Sequence, residues 1–323
     1  MSRSVEFGLL LIAGSHTHQE NYARAFQADP RCRLVGLTDE REIPPRRREL
    51  NQRLAEELNI PWLPNWEEAL ARDDVDLVSV CAEPERRAKL AVQCARAGKH
   101  LYMDKPLTTT TEDALQLVKA VEENGVRGQV FSLVRMPMAQ RAKSILESGE
   151  LGDLLGLHCE LLFAKGIAGT ADLTQRREEK PEAERFTFID SKRELYCVGW
   201  YPLILFQWLT GSRFTDVAGT TANYFFAEHQ KNNVEDFSNL LLGMEQDIEA
   251  TITVGRSGWS SHPTHGVHQL HLVGTKDCVT LDAHSPRFEV WSDAPPWRQP
   301  STPHPEDPMG FWSSTQAEGG VQG

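Results

Sequence analysis

Three short stretches bring charged or proton-carrying side chains to places where chemistry could occur. In KHLYMDKPL (99–107), Asp104 and Lys105 follow directly on an apolar run and are locked by Pro106. An ammonium there can orient a substrate hydroxyl and lower its pKa before hydride leaves; the plain alternative is a solvent-facing turn lysine. The second stretch is IAGSHTHQENYARAF (12–26). A dinucleotide turn normally reads Gly-x-Gly-x-x-Gly, for a tight bend, close approach of backbone to pyrophosphate and close helix packing. Only Gly14 is present, so Ser15, His16, Thr17 and the amides of the following helix are left to hold phosphate. His16 and His18 sit at the mouth of that turn, and either could meet pyrophosphate or substrate. The third is Asp39, 25 residues after Gly14. A carboxylate there accepts from the adenosine ribose hydroxyls and repels a 2′-phosphate, which favours NAD over NADP; a helix N-cap is the alternative.

The elements that must position these residues alternate between short apolar runs and longer amphipathic ones. Strands are expected at 5–13, 33–38, 61–63, 75–82, 100–103 and 128–134, with helices at 20–28, 46–58, 67–71, 86–97 and 111–123. The run VEFGLLLIA is almost wholly apolar, as a strand covered on both faces should be. This βα repetition predicts a doubly wound parallel sheet of Rossmann type, whose ligands lie at the carboxyl ends of the strands. The candidate cofactor contacts at those ends are Gly14, Ser15, His16, Asp39, Ala82, Pro84, Asp104, Lys105 and Arg135.

From about residue 131 the pattern changes. A helix at 138–148 precedes strands at 155–163, 217–224, 237–244, 247–254, 268–273 and 278–281, with a helix at 199–209 among them. Alternation such as ATITV (250–254) suits a mostly antiparallel open sheet with one covered face. The expected fold class is therefore α/β: a Rossmann domain (1–130), an α/β domain with a mostly antiparallel sheet (131–292) and an extended tail (293–323) containing six prolines between 295 and 308. Charge-dense residues 175–185 read as a loop.

Composition excludes several classes. With 34 basic against 46 acidic residues the formal net charge is −12, which argues against nucleic acid or an anionic membrane as partner. The one basic triplet, Arg46-Arg47-Arg48, reads as a solvated helix start. Six scattered cysteines without C-x-x-C form neither a disulfide framework nor a zinc site. No apolar run approaches the roughly 20 residues of a bilayer span, and the N-terminus reads as a strand rather than a signal peptide, so the cytoplasm is the expected compartment. His262, His265, His268 and His271 recur every third residue, but 268 and 271 on one strand point to opposite faces, so no metal is expected.

The segment AGKHLYMDKPLTTTTEDALQLV resembles the AGKHV-x-x-EKP block of the Gfo/Idh/MocA family. RMPMAQRAKSILESGELGDLLGLH (135–158), VEDFSNLLLGMEQDIEATIT (234–253) and HLVGTKDCVTLD (271–282) are similar to later blocks of the same family, so the likeness runs from about residue 5 to 285. The resemblance implies a nicotinamide cofactor, NAD or NADP, and redox chemistry at a carbinol carbon of a polyhydroxylated small molecule such as a sugar or cyclitol. It also implies a homo-oligomer assembled through the second domain's sheet. The family's catalytic lysine falls on Lys105. Its second signature, D-x-G-x-H-x-x-D, falls on CVGWYPLI (197–204), with Cys197, Tyr201 and Ile204 at the Asp, His and Asp positions. Tyr occupies that His position in some members, which makes Tyr201 the implied proton carrier, aided by a nearby ammonium. Two other readings stay open: a family member that binds without turnover, and an NAD-dependent lyase or glycosidase that borrows hydride and returns it.

Overall fold

The computed structural model describes residues 6–14, 18–164, 193–225, 229–230, 233–257, 266–283 and 287–292. The expected loop at 175–185 and tail at 293–323 lie outside these residues, as do Ser15, His16 and Thr17. The chain divides between Phe131 and Ser132 into two compact units.

The first unit holds β1 (Phe7–Ile12), α1 (Gln19–Ala28), β2 (Cys32–Thr38), α2 (Pro45–Glu57), β3 (Trp62–Leu63), α3 (Trp66–Leu70), β4 (Leu77–Val80), α4 (Pro84–Arg96), β5 (His100–Met103), α5 (Thr111–Glu123) and β6 (Gly128–Val130). Its six strands run in the order β3-β2-β1-β4-β5-β6, all parallel, so the order reverses between β1 and β4. Leu9, Leu10, Leu11 and Ile12 are fully buried because successive side chains enter the cores on opposite faces of the sheet. Helix α4 starts two residues earlier than the spacing predicts, since Pro84 at its first turn needs no amide partner. Strand β6 ends at Val130 rather than 134; a 3-10 turn, Leu133–Arg135, follows and leaves Arg135 exposed in the second unit.

Gly-x-Gly-x-x-Gly counted from Gly14 would place its third glycine at residue 19, where this chain has Gln19. Gln19 is fully buried. Its amide donates to the carbonyls of Ala13 (3.0 Å) and Ser79 (2.9 Å) and accepts from Ser79 Oγ (2.6 Å). A polar side chain thus fills the space between α1 and the sheet that glycine would leave empty, and ties β1 to β4. Gly14 is closely packed: a Cβ there would lie 2.8 Å from Leu54 Cδ2 and 3.1 Å from Leu37 Cδ1, so those side chains would have to shift.

The second unit holds α6 (Pro137–Ser148), β7 (Leu154–Ala164), α7 (Glu194–Cys197), α8 (Trp200–Thr210), β8 (Phe214–Ala222), β9 (Phe237–Met244), β10 (Ile248–Ser257), β11 (Gly266–Gly274), β12 (Asp277–Asp282) and β13 (Arg287–Ser292). The sheet order is β13-β12-β11-β7-β10-β9-β8, and β7–β10 is its one parallel pair. The turn α7 and the strand β13 go beyond the elements expected from sequence. Leu157, Cys159 and Leu161 of β7 with Ala250, Ile252 and Val254 of β10 form the covered face. His158 and Glu160, alternate on β7, are exposed on the other. The Val234-Glu235-Asp236 stretch is structural: Asp236 is fully buried and accepts from the amides of Tyr224 and Phe225 at 2.8 Å each, while Glu235 pairs with Arg193 at 2.8 Å. Among the described residues no helix is long and apolar enough to cross a membrane.

Gln19→Ala removes the amide that joins the ends of β1 and β4 and opens a cavity. It is expected to lower stability by about 2–3 kcal/mol, read from urea unfolding. A loss below about 0.5 kcal/mol would show that the buried amide holds nothing together.

Candidate active site at the carboxyl edge of the parallel sheet

The carboxyl ends of β1, β2, β4 and β5 gather Gly14, Asp39, Ala82, Pro84, Asp104 and Lys105 in the first unit. Ser15 and His16 lie outside the described residues. Arg135 and Tyr201 belong to the second unit, where Tyr201 is buried on α8.

Asp104 directly follows β5, and only 3% of its surface is exposed. Its oxygens accept from His18 Nδ1 (2.9 and 3.0 Å), the Tyr22 hydroxyl (2.9 Å), the Lys105 amide (2.8 Å) and Arg87 Nη2 (3.4 Å). Burial alone would raise its pKa. The hydrogen bond from His18 and the charges of Arg87, His18 and Lys105 outweigh that and hold it at about 2. The same carboxylate, after burial, pushes the Tyr22 phenol far above its ordinary range. His18 is therefore turned onto Asp104, which the sequence did not indicate. Arg87 is buried as well, donating to the Ala82 carbonyl (2.9 and 3.1 Å) and to the Pro106 carbonyl. Through Arg87, the start of α4 holds the Asp104 carboxylate and the Pro106 carbonyl, one on each side of Lys105. The Lys105–Pro106 peptide is cis, and Lys105 is partly exposed.

Asp39 departs from the sequence expectation. It ends β2 as expected, but it is 1% exposed, and its two oxygens accept four hydrogen bonds. These come from Arg86 Nη1 (2.9 Å) and Nη2 (3.4 Å), Asn51 Nδ2 (2.8 Å) and the Glu40 amide (2.9 Å). Arg86 also holds Glu83 (2.7 and 3.0 Å) and Glu40 (2.8 Å). Burial opposes the charge on Arg86, but Asp39, Glu83 and Glu40 prevail and raise its pKa. Arg47 supplies a second cation to Glu83, and Lys89 one to Glu40 at 3.1 Å. Arg47 is 2% exposed, so the middle of the basic triplet is an internal ion-pair partner rather than a solvated helix start.

The edge fits a dinucleotide in two respects. The order of strands reverses beside β1, whose carboxyl end runs into Gly14. Asn51, fully buried beside that glycine, keeps its Oδ1 without a hydrogen-bond partner among the described residues.

The histidine repeat does not form a metal site in what is described. His262 and His265 lie outside the described residues; His268 is buried while His271 alternates to the other face of β11. His271 meets Thr280 Oγ1 (2.8 Å) and Cys278 Sγ (3.1 Å), and burial, then His158, lowers its pKa.

Residues 9–132 match the oxidoreductase family with an NAD-binding Rossmann fold, GFO_IDH_MocA, and residues 139–280 match the GFO/IDH/MocA C-terminal domain. The chain belongs to the GFO/IDH/MocA oxidoreductase family. It is 27% identical over 124 residues to levoglucosan dehydrogenase of Pseudarthrobacter phenanthrenivorans, a match covering 34% of this chain and 32% of that protein. It is 37% identical over 94 residues to inositol 2-dehydrogenase 1 of Mycolicibacterium vanbaalenii, covering 28% of this chain and 27% of that one. The matched stretches thus span about a third of these relatives or less. Among solved structures, the 3-ketoreductase KijD10 of Actinomadura kijaniata in complex with NADP shares the fold, with a TM-score of 0.65 at 18% identity over 89% of this chain and 81% of that one.

The depressed pKa of Asp104 has a consequence for stability. A carboxyl whose pKa falls from 3.8 to about 2 on folding contributes stability above the unfolded value and loses it as pH drops toward the folded one. The contribution is about 2 kcal/mol. The stability gap between wild type and Asp104→Asn, from urea unfolding, is expected to be widest at pH 5 and above and to narrow by about that amount between pH 4 and pH 2. A gap constant over that range would remove the charge from the account of this residue.

Proposed function

We propose that this protein is an NAD(P)-dependent oxidoreductase that transfers hydride between a nicotinamide and a carbinol carbon of a sugar, cyclitol or related polyol. The observation that carries the reading is Lys105 at the carboxyl end of β5, its backbone fixed by buried Asp104 and Arg87. Family membership and the names of the polyol- and sugar-related dehydrogenases it resembles support the substrate class.

A bound nicotinamide supplies the hydride donor or acceptor. The chain's own part is to bind, orient and move a proton. The Lys105 ammonium holds the substrate hydroxyl and favours its ionised form, since a cation beside a developing alkoxide stabilises it. Tyr201 carries the carbinol proton, in the role the family resemblance gives it. Assembly of copies through the open face of the second unit's sheet, where His158, Glu160 and Leu241 are exposed, completes the proposal.

Lys105→Ala is expected to cut turnover by about a hundredfold or more while leaving the dinucleotide Kd within a few-fold, measured by steady-state kinetics and by titration of NADH or NADPH fluorescence. Tyr201→Phe is expected to lower kcat by a similar factor and to remove one limb of its pH profile. Unchanged turnover in Lys105→Ala on a polyol that the wild type oxidises would overturn the assignment.

A further inference from the structure

We infer that Arg86, rather than Asp39, decides how this protein treats the 2′ position of the adenosine ribose, and that it removes the preference for NAD that an acid at the end of β2 would otherwise impose. The inference rests on the proposed dinucleotide function and deepens it.

A guanidinium has five N–H donors, and all five of Arg86 are engaged: Nε with Glu83, Nη1 with Asp39 and Glu40, Nη2 with Glu83 and Asp39. An ionised carboxyl offers about four acceptor positions, and Asp39 has four bonds from Arg86, Asn51 and the Glu40 amide. Donor and acceptor therefore saturate one another. No acceptor position on Asp39 is left over for ribose hydroxyls, which is the contact through which such an acid selects NAD.

Charge leads to the same conclusion. Three carboxylates, Asp39, Glu40 and Glu83, meet three cations: Arg86, Arg47 and Lys89. The cluster is neutral, so it does not repel a 2′-phosphate as an isolated carboxylate would. Arg86 keeps 25% of its side-chain surface exposed, enough for the cation to be felt from the binding edge, whereas Asp39 is sealed beneath it. The network joins the end of β2 to the start of α4, the two segments on either side of β1, where strand order reverses and such folds take their nucleotide. Removing Arg86 changes two things in one direction: two acceptor positions on Asp39 open for a ribose diol, and the cluster acquires a net negative charge that opposes the 2′-phosphate.

The test is the ratio Kd(NADPH)/Kd(NADH), from fluorescence titration of the full chain, with unfolding midpoints confirming that each variant is folded. For the wild type the ratio is expected within about tenfold of one; in Arg86→Ala it is expected to rise at least about tenfold toward NADH. Arg86→Lys, which keeps the charge and loses the five-donor fork, provides a second readout if the alanine variant does not fold, with a rise of several-fold. A wild-type preference for NADH beyond about a hundredfold, or a folded variant with an unchanged ratio, overturns the role of Arg86 and leaves the proposed function standing. Absence of binding by either dinucleotide at millimolar concentration overturns both.

Discussion

Two carboxylates, Asp39 and Asp104, lie buried at the carboxyl edge of a parallel sheet, and the cost of taking a charge out of water obliges the surrounding chain to answer them. The answer comes chiefly from consecutive residues at the start of α4: Arg86 takes Asp39, and Arg87 takes Asp104. Because neighbouring residues on a helix project about 100° apart, one turn of α4 reaches both sides of β4 at once. The start of α1 and the first half of α2 complete the arrangement through His18, Tyr22, Arg47 and Asn51. Each buried carboxylate has more than one partner, so the backbone around Lys105 is held by a shared network rather than by any single pair.

The parallel sheet was legible because its pattern is set by local physics. Continuous apolar runs such as residues 9–12 can be satisfied only between two covered faces, and Pro and Gly at element ends fixed most boundaries to within a residue or two. The antiparallel sheet was legible through the alternation at 250–254. The carboxyl end of β6 and the turn α7 were not, since both depend on how a short segment meets its own unit rather than on periodicity. The buried network was invisible for a different reason. Arg47 sits in a charged triplet that looks solvated, and nothing in RRR says that its middle member enters the protein; the signal was Leu50 and Leu54, three and seven residues on and on one face of α2 with Arg47. Asp39 was found, but its partner lies 47 positions away, a distance at which spacing carries no information.

The start of α1 shows how close packing is kept where a glycine of the usual motif is missing. Glycine at the third position of the usual pattern allows helix and strand to approach closely. Gln19 meets that requirement otherwise, by filling the gap and bonding to the carbonyls that line it. Gly14 is retained where a side chain would strike Leu54. What survives is thus what packing demands.

The central claim is that this charged edge is where a dinucleotide binds. Hydrogen–deuterium exchange of the purified chain with and without millimolar NADPH or NADH tests it directly. Cofactor is expected to slow exchange in residues 13–14, 18–20, 39–41, 82–87 and 104–107, at the start of α1 and the carboxyl ends of β1, β2, β4 and β5. Unchanged exchange throughout, or slowing confined to segments beyond residue 131, would contradict it.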